Sequence, residues 1–350
     1  MRLYLNLREK IRFKMGNKLR LKGYFDNNFG DDYIMRIIVR SLPEIDFVID
    51  KRESKTEFLQ NEKNVIIEEN PDKYPVLNVT GSGFMINSKR ALFTEIVWFL
   101  KRKKSGDYCL GCNIEPLGNG LKKFLISSKL NKYKLIVCRD KKSYEWLNSN
   151  IKTHIEYLPD ILFGLPEEFL PSHRTAEKLG ISCIHRSGEE TDSEYYKKMA
   201  DIADFWIENT QKEVLLLAFD SGEEDDIYAC ENIKRRMRNQ GKVKIIAHKN
   251  GEEIFYAYGE CAKIIGARFH SVVLGMKMNI PVFPLIFRDK TKNLIADTNY
   301  PQKGCSIDGI DVEKIKNFLQ DNNEEIKIDV GYKKTSNVYA EVLRESLDKE

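Results

Sequence analysis

Toward the C-terminal third, the apolar run Lys263-Ile264-Ile265-Gly266 leads straight into Ala267-Arg268-Phe269-His270-Ser271-Val272. A strand followed at once by a helix would put an arginine, a histidine and a serine at the helix start. The unpaired amides and the dipole of a helix N-terminus favour an anion there. Histidine adds a side chain that takes and releases a proton near neutrality. A second apolar run, 280–287, ends in Arg288-Asp289-Lys290-Thr291-Lys292. Two strand ends would thus present cations and a proton carrier, and ligands of open α/β sheets bind at the carboxyl ends of strands. The chemistry on offer is anion binding coupled to proton transfer.

Other strand ends carry related groups. The first ends in Asp26-Asn27-Asn28-Phe29-Gly30-Asp31-Asp32. Glycine permits close backbone approach there, and Asn28 or Asp31 can cap the next helix or bind a hydroxyl. Thr80-Gly81-Ser82-Gly83 follows another apolar run and either cradles a ligand or packs a strand on a helix. Leu135-Ile136-Val137-Cys138 leads to Arg139-Asp140. Asp140 suits a helix N-cap, which leaves Arg139 at the strand tip, shaped for bidentate carboxylate or phosphate binding or for a structural ion pair. Arg186, just past 181–184, repeats the idea.

These residues need elements to hold them. Apolar strands alternate with amphipathic helical patterns nearly throughout, the pattern of doubly wound α/β folds. Strands are predicted at 19–25, 45–49, 65–68, 76–79, 108–111 and 135–138, with helices at 31–41, 88–103, 117–130 and 141–148. After a break near Pro166 to Ser172 the alternation restarts. Strands at 181–184, 214–218, 243–247, 262–265 and 282–286 enclose helices at 193–210, 224–240, 251–259 and 269–278. The simplest assembly is two Rossmann-like domains, 1–170 and 171–350, facing across a cleft. Its length of 350 residues fits two cores better than one.

Composition narrows the class. With 42% hydrophobic and 31% charged residues, the chain reads as soluble and globular. A net charge of +4 demands no nucleic-acid partner. No apolar stretch approaches the ~18–20 residues that span a bilayer, and the N-terminus does not read as a signal peptide. The seven cysteines fall mostly in predicted elements, as expected of a reduced, cytoplasmic protein. Cys109 and Cys112 have C-x-x-C spacing, but no second pair or histidine partner follows, so a buried strand ending at Gly111 is the better fit. No clustered ligand set suggests a metal.

The basic runs 101–104 and 234–238 fall at predicted helix ends, where cations complement the dipole. Residues 1–22 hold eight lysines and arginines and one acid, Glu9, with Leu3, Leu7, Ile11 and Met15 four apart. Such an arm would serve as a solvated extension, or as a peripheral contact with the anionic inner face of a membrane.

Taken in order, these pieces resemble the polysaccharide pyruvyltransferase family over roughly residues 19–300. The resemblance rests on Asn28-Phe29-Gly30-Asp31, the glycine loop at 81–83, Gly111-Cys112-Asn113-Ile114-Glu115-Pro116-Leu117, Arg139-Asp140 with Ser143, and Leu158-Pro159-Asp160. It continues through Gly180-Ile181-Ser182 to Arg186, then Arg268-Phe269-His270-Ser271, Asn279-Ile280-Pro281-Val282 and Lys290. It departs from the family pattern in Ser82, where a triple glycine is usual, and in Asn27, where Gly often precedes Asn. The resemblance implies a GT-B-like fold and a pyruvyltransferase. Its donor would be phosphoenolpyruvate, a co-substrate and not a cofactor, and its acceptor a sugar or lipid-linked oligosaccharide of a cell-surface polysaccharide such as a capsule or exopolysaccharide. It puts Arg139, His270 and Lys290 around the donor, with Arg268 as a further cation. Ser271, Arg186, Asn28, Gly30, Asp31, Gly81 and Ser82 are the candidate substrate-binding residues, those of the N-terminal half on the acceptor side. Two other readings stay open: a GT-B glycosyltransferase using a nucleotide sugar, with a ribose carboxylate from the acidic run 223–226, and a non-catalytic member of a polysaccharide-assembly complex.

Overall fold

The computed structural model describes residues 18–53, 55–81, 84, 88–100, 106–114, 120–186, 189–249, 251–321 and 335–349. The N-terminal arm before Lys18, the basic run 101–104, Ser82 and Glu115-Pro116-Leu117 lie outside them. Among the described residues no helix is long and apolar enough to cross a membrane.

Two compact units divide the chain. The first holds a sheet of seven parallel strands in the order β3-β2-β1-β4-β5-β6-β7. These are β1 (Lys18–Lys22), β2 (Asp46–Asp50), β3 (Val65–Glu68), β4 (Val76–Val79), β5 (Tyr108–Cys112), β6 (Leu135–Cys138) and β7 (His154–Tyr157). Central strands such as β5 and β6 are buried at every residue, as a parallel sheet covered by helices on both faces requires. Most of the crossovers are helices: α1 (Phe29–Ser41), α2 (Lys89–Leu100), α3 (Gly120–Leu130) and α4 (Lys141–Asn150). Cys109 and Cys112 are wholly buried in β5, and a hydrogen bond between them followed by burial pushes the Cys109 thiol up. Gly111 sits between them at φ +76, a conformation that favours glycine.

The second unit repeats the design with six parallel strands in the order β10-β9-β8-β11-β12-β13. They are β8 (Lys178–Cys183), β9 (Val214–Ala218), β10 (Val243–Ala247), β11 (Cys261–Gly266), β12 (Val282–Ile286) and β13 (Cys305–Ser306). Between them run α5 (Glu189–Thr210), α6 (Asp226–Arg236), α7 (Glu253–Glu260), α8 (Phe269–Lys277) and α9 (Asp289–Asp297), and α10 (Val312–Gln320) closes the core. Both sheets have the Rossmann order, in which the chain returns to its first strand and then builds outward on the other side.

The boundaries differ from the expected 1–170 and 171–350. The main break falls after Ile161, and two segments change sides. Asp26–Asp32 belongs to the second unit, because its side chains and backbone are bonded there. The last helix, α11 (Thr335–Asp348), belongs to the first. Its Tyr339 is fully buried and donates its hydroxyl to the Pro159 carbonyl at 3.0 Å, while Arg344 Nε reaches Glu44 at 2.6 Å. Strands β7 and β13, helix α9 and the placement of α11 escape the sequence pattern. β7 is a four-residue, half-exposed edge strand with no apolar run to announce it.

Tyr339→Ala should therefore destabilise the N-terminal unit by about 3–5 kcal/mol, the cost of emptying a fully buried aromatic site. Urea unfolding followed by circular dichroism measures it; a change under 1 kcal/mol would mean that α11 does not belong to that core.

Candidate active site

In a Rossmann sheet the ligand crevice opens where the strand order reverses, which in the second unit is between β8 and β11. Their register pairs Ile265 with Ile181 and Gly266 with Ser182, so the residues after them emerge side by side. The Arg268 amide donates to Ser182 Oγ at 3.3 Å. Helix α8 starts on the next residue, with Arg268 extended as its N-cap. Ser271 turns back into that start: its hydroxyl donates to the Arg268 carbonyl at 2.6 Å and is fully buried. Ser271 thus braces the helix start that it was expected to offer to a substrate.

Arg268 is held by acids that the sequence pattern assigned to a helix N-terminus. Asp226, wholly buried at the first position of α6, accepts from Arg268 Nε at 2.8 Å and from Nη2 at 2.5 Å. It also accepts the Asp220 amide at 3.0 Å and the His185 amide at 3.3 Å. One carboxylate thereby joins the ends of β8, β9 and β11. Glu224 takes the remaining guanidinium nitrogen. Burial pushes the Asp226 carboxyl up to about 6, against the pull of Arg268. Burial opposes the charge on Arg268 as well, but Asp226 and Glu224 outweigh it and hold the group cationic.

His270, in the first turn of α8, is only 7% exposed. Its neighbour is Gly30. A Cβ at residue 30 would lie 1.6 Å from His270 Nδ1 and 2.2 Å from Cγ, so the ring occupies the space where any other residue would carry its side chain. The stretch Asp26–Asp32 is fastened there by several contacts. Phe29 is fully buried, edge-on to the rings of Phe219, Phe255 and His248 at 5.0, 5.2 and 5.5 Å. Its amide donates to the Phe219 carbonyl at 2.8 Å. Asn28 caps α1 through Oδ1, which accepts from Gly30 N at 3.1 Å, and gives its Nδ2 hydrogen to Asp220 at 2.9 Å. Asp31 occupies the first turn of α1. Next to it, Asp32 Oδ2 lies 2.8 Å from His248 Nε2, both side chains being inaccessible to solvent. Burial raises the Asp32 carboxyl, and the bond to His248 restrains the rise.

Lys290, in the first turn of α9, lies over the Phe269 ring with Nζ 5.4 Å from its centroid. Arg186 pairs with the exposed Asp308 and stacks on Phe287 at 5.7 Å, where Arg288 joins it at 5.5 Å. His270, Arg268, Lys290 and Arg186 therefore lie on one sheet edge of one unit, and Asn28 and Gly30 join them there. The N-terminal motif was expected on the acceptor side of the chain, but its bonds run to Phe219 and Asp220, and its Gly30 lies against His270.

Arg139 lies in the other unit. It stands at the tip of β6 as expected, yet its side chain is 1% exposed. Its Nη1 donates to Asp160 at 2.7 Å, its Nη2 to the Gly81 carbonyl at 3.1 Å and its Nε to Asn113 at 2.5 Å. A Cβ on Gly81 would strike this guanidinium. Asp140 caps α4 by accepting from Ser143 N at 2.9 Å. Arg139 is committed to this buried set within its own unit.

The pattern of residues from Asn28 through the β12 strand has a known counterpart: residues 28–286 match the model of polysaccharide pyruvyl transferases. The chain belongs to that family. Among curated proteins no significant sequence match exists. Solved structures resemble it in fold at low identity. The UDP-GlcNAc 2-epimerase of Methanocaldococcus jannaschii, in complex with UDP-GlcNAc and UDP, has TM-score 0.59 and 13% identity over 94% of this chain and 99% of its own. Sucrose-phosphate synthase from Thermosynechococcus elongatus has 0.56 and 10%, and Anabaena Alr3699/HepE in complex with UDP-glucose 0.55 and 11%, each over 95% of this chain and 99% of its own. This likeness shows the fold, two Rossmann-like domains of the GT-B class, in a member of the pyruvyl transferase family.

The Asp226–Arg268 junction should leave a pH signature. Asp226 has an ordinary value of 3.8 and is raised to about 6 in the folded protein, so the folded state holds the extra proton between those values. Its contribution to stability is complete below about pH 4 and is lost as pH rises through about 6, on the order of 3 kcal/mol. Urea midpoints should fall more steeply with rising pH across that window in the wild type than in Asp226→Asn. An unchanged slope in the variant would remove Asp226 as its source.

Proposed function

We propose that the protein transfers pyruvate from phosphoenolpyruvate to two hydroxyls of a sugar, as a cyclic ketal, in making a polysaccharide or its lipid-linked precursor. Family membership supports pyruvyl transfer to a polysaccharide, and the observation that carries the rest is His270, lodged against Gly30 at the start of α8.

Phosphoenolpyruvate brings a phosphate and a carboxylate, which call for converging donors. The first-turn amides of α8, Lys290 and Arg186 supply them, while Arg268 is oriented and largely balanced by Asp226 and Glu224. His270 gives a proton to the methylene carbon, which becomes a methyl group and leaves positive charge on the enol-ether carbon. A sugar hydroxyl adds to that carbon and passes its proton to His270, now a base. The carbon–oxygen bond to phosphate breaks, a second hydroxyl closes the ring, and its proton leaves with the phosphate. Asn28 and Asp31 lie beside this turn and suit contacts with the acceptor hydroxyls. Arg139 serves as a brace for the Gly81 loop. A nucleotide-sugar reaction is less well served, because Glu224 and Asp226, the acids a ribose would need, already bind Arg268.

Phosphate release from phosphoenolpyruvate over a panel of sugar acceptors tests this directly. His270→Gln should lower kcat by about 10²–10⁴ with the thermal midpoint unchanged. Lys290→Ala should raise the KM for phosphoenolpyruvate about 10-fold or more with a smaller effect on kcat. Gly30→Ala must displace the imidazole, and a shift of that size costs about 10² in kcat. Acceptor-dependent phosphate release that survives in His270→Gln would dismiss the proposed proton carrier, and no release with any acceptor would favour a binding role.

A further inference from the structure

The N-terminal unit carries a surface that neither its core nor the proposed chemistry uses. Among the described residues eight large apolar side chains are exposed, and four of them sit on two adjacent helices: Phe93 and Leu100 on α2, Leu121 and Phe124 on α3. Phe93, Leu100 and Phe124 are 67%, 71% and 54% exposed, which is far from the usual state of a crossover helix. Not one residue of α2 is buried, although its sequence, KRALFTEIVWFL, is largely apolar. The helices hold each other through the edge-on pair Phe99–Phe124, 5.4 Å between centroids. Helix α3 buries Leu125, Ile126 and Leu130 on its inner side, and α2 packs only its half-buried Ala91 and Leu92 against the core.

The two helices carry charge almost wholly of one sign. The two helices contain Lys89, Arg90, Lys122, Lys123 and Lys129 against a single acid, Glu95, which Lys129 already pairs at 2.7 Å. Lys132, in the turn that follows α3, lies 4.2 Å from the Trp98 ring centroid, and Lys129 lies 5.5 Å from it on the same indole. Apolar side chains, an amphipathic tryptophan and a cationic border form the composition of a helix face that lies in a lipid headgroup region. A protein partner would not require the one-signed border, and a second copy of this chain would set lysine against lysine.

We propose that the α2–α3 face of the N-terminal unit docks on an anionic membrane surface, with Phe93, Leu100, Leu121 and Phe124 entering the headgroup layer and the lysines meeting lipid phosphates. The attachment is peripheral. It stands apart from the reaction proposed above, since none of these residues belongs to the active site.

Sedimentation of the full chain with extruded vesicles tests it. Vesicles of equal parts phosphatidylcholine and phosphatidylglycerol should carry the protein down; phosphatidylcholine alone should not, and high salt should weaken the binding. Two double variants separate the contributions: Phe93→Ser with Phe124→Ser for the apolar part, Lys123→Glu with Lys132→Glu for the charge. Each should lower the partition coefficient at least about tenfold, read on variants whose circular dichroism matches the wild type. Leu100→Ser with Leu121→Ser replaces the first pair if that pair folds poorly. Wild-type binding by both double variants would overturn the proposal and hand any attachment to the basic residues before Lys18. Absence of sedimentation at low salt would overturn it too. So would a loss of dimer in the Phe93/Phe124 variant with vesicle binding unchanged, which would assign the face to a second copy.

Discussion

The close approach of Gly30 to His270 governs the site. It is a contact made by a missing side chain: the imidazole fills the volume a Cβ would need. Glycine serves here for space and not for an unusual backbone angle, since its φ is not among the positive ones. The approach persists because Phe29, one residue earlier, is anchored in an aromatic pocket of the second unit. Full burial of such a ring contributes about 1.5–3 kcal/mol, and the bonds of Phe29 N, Asn28 and Asp26 to residues 219–223 add direction. Hydrophobic burial thus sets the position, and hydrogen bonds fix the orientation.

The electrostatics of the same edge are arranged differently. Arg268 faces two carboxylates, so its charge is spent inside the protein. A buried pair of this kind is a poor source of net stability, because desolvation offsets most of the attraction. Its value lies in geometry. Asp226 accepts from three strand ends at once, so moving any one of them would leave a buried carboxylate short of a donor, an arrangement costing more than the bond is worth. The switch point of the sheet is thereby stiffened.

Much of this was legible in the sequence. The strand-to-helix transition at Gly266, the strand end at Ile286 and the Rossmann alternation follow from period and punctuation, and they locate His270, Arg268 and Lys290 on one edge. Edge strand β7, helix α9 and the placement of α11 were not legible, because short or half-exposed elements carry no apolar run and their stability comes from partners far along the chain. The same cause hid the membership of Asp26–Asp32. Its neighbours in sequence belong to the first unit, and only contacts with residues some two hundred positions away assign it to the second. His248 was missed although it follows β10 much as His270 follows β11; a histidine at each strand tip was the available signal, and only the distance to Asp32 gives it meaning.

Arginine at a strand tip invites one interpretation and admits two. Arg139 follows β6 and Arg268 follows β11, and both were expected to clamp an anionic donor. Both instead hold carboxylates of the chain itself, Asp160 twenty-one positions later and Asp226 forty-two positions earlier. Local pattern cannot separate the cases, since the deciding acid is distant in sequence and near in space. Lys290 differs in kind. Its ammonium lies over the Phe269 ring, whose quadrupole steers it, and its charge also acts on Glu224. A guanidinium shared between the buried Asp226 and the half-exposed Glu224 would have to give up bonds to meet a ligand.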